Sequence, residues 1–350
     1  MKVFNVCVAT ASIGLLISGC ATTVSLDQKL VTTGREALED AKEVELPSGY
    51  NKENFRSLKM GVAIEDLPVA EGQKAKPLPP FVKAKVEGDM VKLKRFTIVP
   101  VKDEGGKMFF ADISDIDGNV SLKEQVKPNE LDLVLTVMAQ RTKQSVNQGS
   151  GKYALFYTVD GQAACRDMKT GTALFSETIK GQAKETQFYN DHGQRTGGFD
   201  DTSVDAVNNA LVRASKRAMT VLFSKLGNMY PIGGEITKCD RYGEMLTLNK
   251  GTDDGIGAKG QQFTVVVDDD GQDVPLCYAE AQAGKTESVL RPYRWNDNNR
   301  TAKDLKKEFQ ENPRGFLKKY KMYAAGHGLS MPAEWDTDGE KRDLNAILER

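Results

Sequence analysis

Four places along the chain carry residue types at spacings that could do chemistry. Gly255, Gly257 and Gly260 satisfy the G-x-G-x-x-G fingerprint of dinucleotide binding. That fingerprint works only where the glycines open a helix whose N-terminal amides face the pyrophosphate, and here residues 261–267 read as a β-strand, which excludes it. Ala283-Gly284-Lys285-Thr286 ends like a phosphate loop, but Ala279 holds its leading glycine position and no helix follows, so it reads as a turn. Residues 113–124 match a calcium loop at Asp115, Asp117, Gly118, Val120 and Glu124. Ile113 stands where the first carboxylate ligand belongs, removing a charge and an oxygen together, and a plain turn after a strand is expected. His192 and His327 are the two histidines, far apart and each beside glycine, with no Cys or carboxylate at ligand spacing. No Ser-His-Asp or Cys-His arrangement is legible. The expectation is a chain that is not an enzyme, with no catalytic residue, metal or cofactor.

The cysteines point to lipidation instead. Lys2 leads into an apolar run over residues 3–17, too short to span a bilayer as a mature helix but suited to a removable signal segment. Its end, Leu15-Leu16-Ile17-Ser18-Gly19-Cys20, resembles the lipobox of bacterial lipoproteins. That resemblance implies that Cys20 becomes the lipidated first residue of the mature chain. Ala21, not Asp, follows, which resembles the sorting default for the outer membrane and implies a lipid-anchored protein on its periplasmic face. Beyond the signal, Cys165, Cys239 and Cys277 remain, an odd number for an oxidising compartment. Cys239 and Cys277 share one β-rich stretch and are the candidate disulfide. Three free buried thiols stand beside it as the alternative, because spacing does not establish proximity.

Charge is balanced, 48 Lys and Arg against 49 Asp and Glu, so no global field draws the chain to nucleic acid. After the signal, about 330 residues remain, room for two or more domains.

The elements that must position these residues follow from periodicity. Residues 24–45 place Leu26, Leu30, Ala37, Leu38, Ala41 and Val44 on one face of a short helix. From 46 to 89, Pro68, Pro77, Pro79 and Pro80 break regular structure, and the stretch reads as a linker or wrapping arm. Strands are expected at 95–101, 107–113 and 131–138, then a hairpin of 153–166 and 172–179 around Asp167-Met168-Lys169-Thr170-Gly171, where glycine supplies the positive φ of the turn. A long helix begins near Thr202, presents Val204, Val207, Leu211, Ala214, Ala218, Val221 and Leu222 to a sheet, and ends at Gly227. Strands at 232–238, 244–249, 261–267 and 274–281, with Asp268-Asp269-Asp270-Gly271 as a hairpin turn, predict a small antiparallel barrel. Helices at 302–311 and 315–323 then form a basic tail carrying Lys303, Lys306, Lys307, Arg314, Lys318, Lys319 and Lys321, read as a solvated face with a lipid-headgroup or glycan-phosphate contact as the alternative.

The order of strand, Asp-x-x-Thr-Gly hairpin, later Gly181 and long helix over residues 91–228 resembles the curli secretion lipoprotein family, CsgG, and the related TolB amino-terminal fold. Residues 248–263 resemble the SH3-like carboxyl-terminal domain of the flagellar assembly protein FlgT. Together they imply an α+β chain: a signal peptide over 1–20, an N-terminal helix and linker over 21–90, a CsgG/TolB-N-like α/β sandwich over 91–228, an SH3-like barrel over 229–292 and a basic helical tail over 293–350. In the curli family the hairpin turn is structural, so no catalytic role passes to Asp167, Thr170 or Gly171. The segments that would form membrane hairpins, 141–152 and 182–200, are polar and lack apolar alternation, so no transmembrane barrel is expected from this subunit. The resemblances imply an envelope assembly or secretion component that binds periplasmic or outer-membrane proteins, copies of itself among them, with no nucleic-acid partner. The alternatives are a flagellar-ring assembly factor and a lipoprotein activator of a cell-wall synthase.

Overall fold

The computed structural model describes residues 35–68, 74–104, 107–113, 120–127, 129–257, 259–330 and 335. The fold is mixed α+β, with one large sheet and one closed barrel. The sheet runs in the order β5 (Val120–Gln125), β4 (Lys107–Ile113), β3 (Phe96–Glu104), β1 (Leu58–Asp66), β6 (Leu133–Gly149), β7 (Lys152–Asp167), β8 (Ala173–Tyr189) and β9 (Arg195–Gly198), and the short β2 (Lys76–Pro77) pairs with β6. β1 lies parallel to both β3 and β6, and the other pairings are antiparallel. A strand flanked by parallel neighbours is covered on both faces, and β1 accordingly buries Met60, Val62, Ala63 and Ile64 in near-continuous sequence.

The stretch expected as a linker thus supplies the central strand of the sheet and its crossover helix, α2 (Pro80–Met90). The prolines that suggested a linker fall between the two elements, and Pro80 opens α2 at its first turn, where proline is tolerated. α1 is the short helix Arg35–Glu39; of the helix expected over 24–45, residues 24–34 lie outside the described residues and 40–45 are not helical but run on into the strap. α3 (Val204–Met229) lies with α2 on one sheet face, burying Leu211, Ala214, Ala218, Leu222 and Leu226 in a common core with β1, β6 and β7. Its N-cap is Ser203 rather than Thr202, and it runs past Gly227 to Met229. Gly227 serves close packing instead: a Cβ there would lie 2.7 Å from Leu329 Cβ.

The barrel closes in the order β10 (Gly233–Cys239), β11 (Leu246–Leu248), β14 (Ser288–Trp295), β13 (Gln272–Ala283), β12 (Lys259–Asp269), β15 (Lys321–Gly326) and back to β10, with every pairing antiparallel. Two corrections follow. The barrel does not end near residue 292, because β15 is its closing strand. The tail is not a separate unit either: α4 (Arg300–Glu311) and α5 (Pro313–Lys319) sink Ala302, Leu305, Phe309 and Phe316 into the barrel core. The expected helix over 315–323 stops at Lys319, since Tyr323, Ala324 and Ala325 pair with both β10 and β12. Beyond β15 the chain returns to the sheet, where the Trp335 ring stands 5.7 Å from Phe223 and its Nε1 donates to the Asp89 carbonyl at 3.1 Å.

Residues 35–57 form a strap over the barrel. Leu38 and Val44 pack on Tyr278, and the Arg294 guanidinium donates to the carbonyls of Leu38, Glu39 and Ala41. Asn298 Nδ2 donates to Lys42 O at 2.7 Å and Asn296 Nδ2 to Val44 O at 3.3 Å. Thr264 Oγ1 donates to Glu45 O at 2.7 Å and accepts from His327 Nε2 at 2.7 Å, while Lys52 bridges Asp268 and Asp273 at 2.8 and 3.0 Å. Where strap, sheet and barrel meet, the buried Arg95 donates to the carbonyls of Tyr230, Arg56 and Asn54 at 2.8–2.9 Å and of Pro231 at 3.3 Å. Burial lowers its pKa to about 10, so it stays charged at neutral pH.

Candidate functional site

The residues singled out by their chemistry do not converge. Cys20 lies outside the described residues, as do Asp115, Asp117 and Gly118, whereas Glu124 sits on β5. Gly255 caps a one-turn 3₁₀ helix and strand β12 follows it, as the sequence required, while Gly284 and Lys285 form the β13–β14 turn. Asp268–Gly271 turns the β12–β13 hairpin, with Gly271 N donating to Asp268 Oδ1 at 2.8 Å. Asp167 Oδ1 accepts from Lys169 N and Thr170 N at 2.8 and 2.9 Å, the structural turn expected there. His192 is exposed in the β8–β9 turn, and His327 is half-buried just after β15, against Thr264 and Tyr278 beneath the strap, where desolvation pulls its pKa down to about 4.

The candidate Cys239–Cys277 bridge is not formed, and all three described cysteines are free. β10 and β13, which carry the pair, stand on opposite sides of the six-stranded ring. Burial pushes the Cys277 thiol strongly up and raises Cys165 to about 12, so neither is a reactive thiolate at neutral pH. Of the basic tail, Lys306 pairs with Asp297 and Lys319 with Glu308, each at 2.7 Å. Among the described residues no group of three or more His, Cys, Asp and Glu is arranged to hold a metal, and no helix is long and apolar enough to cross a membrane.

Two features on the far side of the sheet do form a site. The first is the outer edge of β8. This 17-residue strand pairs with β7 along its whole length, but on its other side β9 covers only Gln187 to Tyr189. From residue 173 to 186 no further strand pairs with it among the described residues; of its outward groups, Gln182 O accepts from the Arg217 guanidinium of α3 and Thr186 O from Phe199 N, and the other alternate N–H and C=O groups are paired by no strand. Gly181 lets α3 seat directly on the strand, since a Cβ there would meet Ala214 O at 2.0 Å. Arg213 and Lys225 on α3 reach to Glu185 and Glu177, while Lys180 and Lys184 point into solvent. These charges suppress indiscriminate edge-to-edge pairing.

The second is a pocket of about 550 Å³ at the tip of the same hairpins, lined by β6, β7, β8 and the turns that follow them. The sheet register puts Lys143, Ser145, Tyr153, Leu155 and Gln187 on one face, beyond the start of α3. The Tyr153 and Tyr189 rings meet edge to face at 5.3 Å. Gln187 is buried and donates through Nε2 to Asp201 Oδ1 at 2.6 Å and to Phe199 O at 3.1 Å, while its Oε1 accepts from the Tyr189 hydroxyl at 3.1 Å. Lys143 Nζ donates to Asp201 Oδ2 at 2.6 Å, which holds that carboxyl below the usual range. The rim is tight: Gly151, at φ 69°, brings the β6–β7 turn so near Tyr189 that a Cβ would lie 2.1 Å from its carbonyl oxygen. None of these residues stood out by motif. The polarity of 141–152 and 182–200, which argued against a membrane hairpin, is the polarity of the pocket wall.

No protein-family model and no curated protein matches the chain. Among solved structures, the chain is similar to a neuraminyllactose-binding hemagglutinin homolog from Helicobacter pylori, at 13% identity over 53% of this chain and 89% of that one, with a TM-score of 0.27. It is also similar to a hypothetical protein from Chlamydia trachomatis, at 10% identity over 50% of this chain and 98% of that one, with a TM-score of 0.23. Neither likeness assigns the chain to a family.

Proposed function

We propose that the protein is an envelope assembly component, held by a lipid on Cys20 at the periplasmic face of the outer membrane and acting by binding proteins, copies of itself among them. In this reading the sheet is a CsgG/TolB-N-like domain, the barrel an SH3-like domain of the FlgT type, and the setting a curli-like secretion system. The observation that carries it is the edge of β8, which no strand pairs from residue 173 to 186 among the described residues: such an edge accepts another strand once Arg217 releases Gln182 O, and its ion pairs decide which strand fits. The half-exposed pairs Glu177–Lys225 and Glu185–Arg213 are worth little inside the monomer and can exchange onto a partner.

The test is the native mass of the intact lipidated protein in mild detergent. A discrete oligomer that the double substitution Lys180→Glu and Lys184→Glu dissolves is the expected result, and a monomeric wild-type protein refutes self-assembly. The anchor is tested separately: Cys20→Ser leaves the protein uncleaved or releases it from the membrane fraction, and unchanged outer-membrane fractionation refutes it. A second reading, a flagellar-ring factor, draws on the barrel that follows the sheet. Normal motility and intact flagellar bases in a deletion strain count against it.

A further inference from the structure

The pocket at the tip of β6, β7 and β8 constrains its own ligand. A wholly apolar molecule would bury Lys143, Asp201 and Gln187 away from water without new partners, which is unfavourable. An anion would meet two carboxylates, Asp191 and Asp201, against one lysine that already neutralises Asp201. A polyhydroxylated ring suits both walls. Its C–H face lies on an aromatic ring such as Tyr153, and its hydroxyls reach a carboxylate and an ammonium that are fixed beforehand by their mutual bond and by the Gln187 amide behind them. Each of these groups has capacity left. Lys143 has two further N–H donors, each Asp201 oxygen a further lone pair, and the Tyr189 hydroxyl can still accept. The volume, about 550 Å³, falls within the range of small-molecule sites.

We infer that this pocket binds a neutral saccharide of one or two rings, stacked on Tyr153 and hydrogen-bonded through Lys143 and Asp201, which the buried Gln187 holds in place. The site is independent of the β8 edge, so the protein can fail as an oligomer and still bind sugar, or the reverse.

The experiment is saturation-transfer NMR on the full chain with three probes, chitobiose, lactose and maltose, followed by titration of whichever responds. The expected result is transfer to at least one probe, with affinity reduced about tenfold or more in Tyr153→Ala. Ser145→Trp, placed on the exposed rim, fills the pocket without removing a core side chain and is expected to abolish the signal even if Tyr153→Ala unfolds. Absence of transfer to all three probes from the wild-type chain overturns the inference, as does undiminished binding in Ser145→Trp.

Discussion

The barrel is closed and the sheet is not. Each of the six barrel strands has a neighbour on both sides, and the outside of the barrel is taken up by the chain's own strap, α4 and α5. The sheet ends with a long strand, β8, whose outer side β9 pairs only over Gln187 to Tyr189, and with a pocket at its tip. A closed barrel has no backbone groups left to offer, whereas an open edge offers them in a row. The contrast divides the proposed labour: the barrel gathers the strap, α4 and α5, and the sheet is the side proposed to meet other molecules.

That division can be broken at its joint. Replacing Arg95 by Met leaves the carbonyls of Tyr230, Pro231, Arg56 and Asn54 without their donor, and a loss on the order of 3 to 5 kcal/mol is expected. Because those carbonyls tie the strap to the junction between α3, which packs on the sheet, and β10, which opens the barrel, urea unfolding should split into two transitions. The two tryptophans make the split visible, since Trp335 lies in the sheet core and Trp295 packs on the barrel core. Variants keeping one tryptophan each report one region each, and coincident transitions would refute the role of Arg95.

A sheet-only lesion sharpens the contrast. Gly181→Val forces a side chain into the α3 backbone, and a cost of about 3 kcal/mol is expected. Combined with Arg95→Met, it should move the Trp335 transition and leave the Trp295 transition in place.

The two regions also answer pH in opposite senses. Glu87, buried on α2, has its pKa raised from the ordinary 4.5 to about 8 by desolvation, against the opposing pull of the Ile64 amide and Lys83. The folded sheet therefore holds a proton that the unfolded chain releases, and sheet stability falls as pH rises between those values. His327 is lowered from 6.5 to about 4, so the folded barrel excludes a proton that the unfolded chain takes up, and barrel stability falls as pH drops through that interval. Each effect is expected to be on the order of a few kcal/mol. Glu87→Gln should flatten the first limb and leave the second. The smallest effect on stability belongs to Lys180→Glu with Lys184→Glu, within about 0.5 kcal/mol, since both side chains are exposed. A larger shift in either tryptophan transition would mean that the edge charges support the fold instead of guarding it.

The barrel hairpins and the long helix were legible because each announces itself locally. Asp268–Gly271 and Asp167–Gly171 are turns by composition, and the apolar spacing of α3 is helical over its whole length. β1 was hidden because its neighbours in sequence are prolines and its neighbours in space are β3 and β6, which meet it only through crossovers. β15 was hidden for a related reason: Met322, Ala324 and Ala325 have no strong strand preference, and the gap between β10 and β12 makes them a strand around Tyr323. The pocket was illegible as a motif because its residues meet only through register. Tyr153 faces Gln187 across β7 and β8, and Lys143 lies two pairs farther along the same face.

The strap has a mechanical consequence. With the lipid on Cys20, as proposed, fourteen residues separate the anchor from Arg35, and at full extension they reach at most about 50 Å. Any tension between membrane and partner then enters the molecule at α1 and runs along the strap before it reaches the sheet. The strap is held by separate side-chain bonds from Arg294, Asn298, Asn296 and Thr264, spaced along it, so a pull loads them one after another. Arg95, gripping Asn54 and Arg56 at the far end, is the stop that keeps this peeling from reaching β1. The strap can therefore yield and lengthen the tether while the β8 edge stays folded in the grip of its partner.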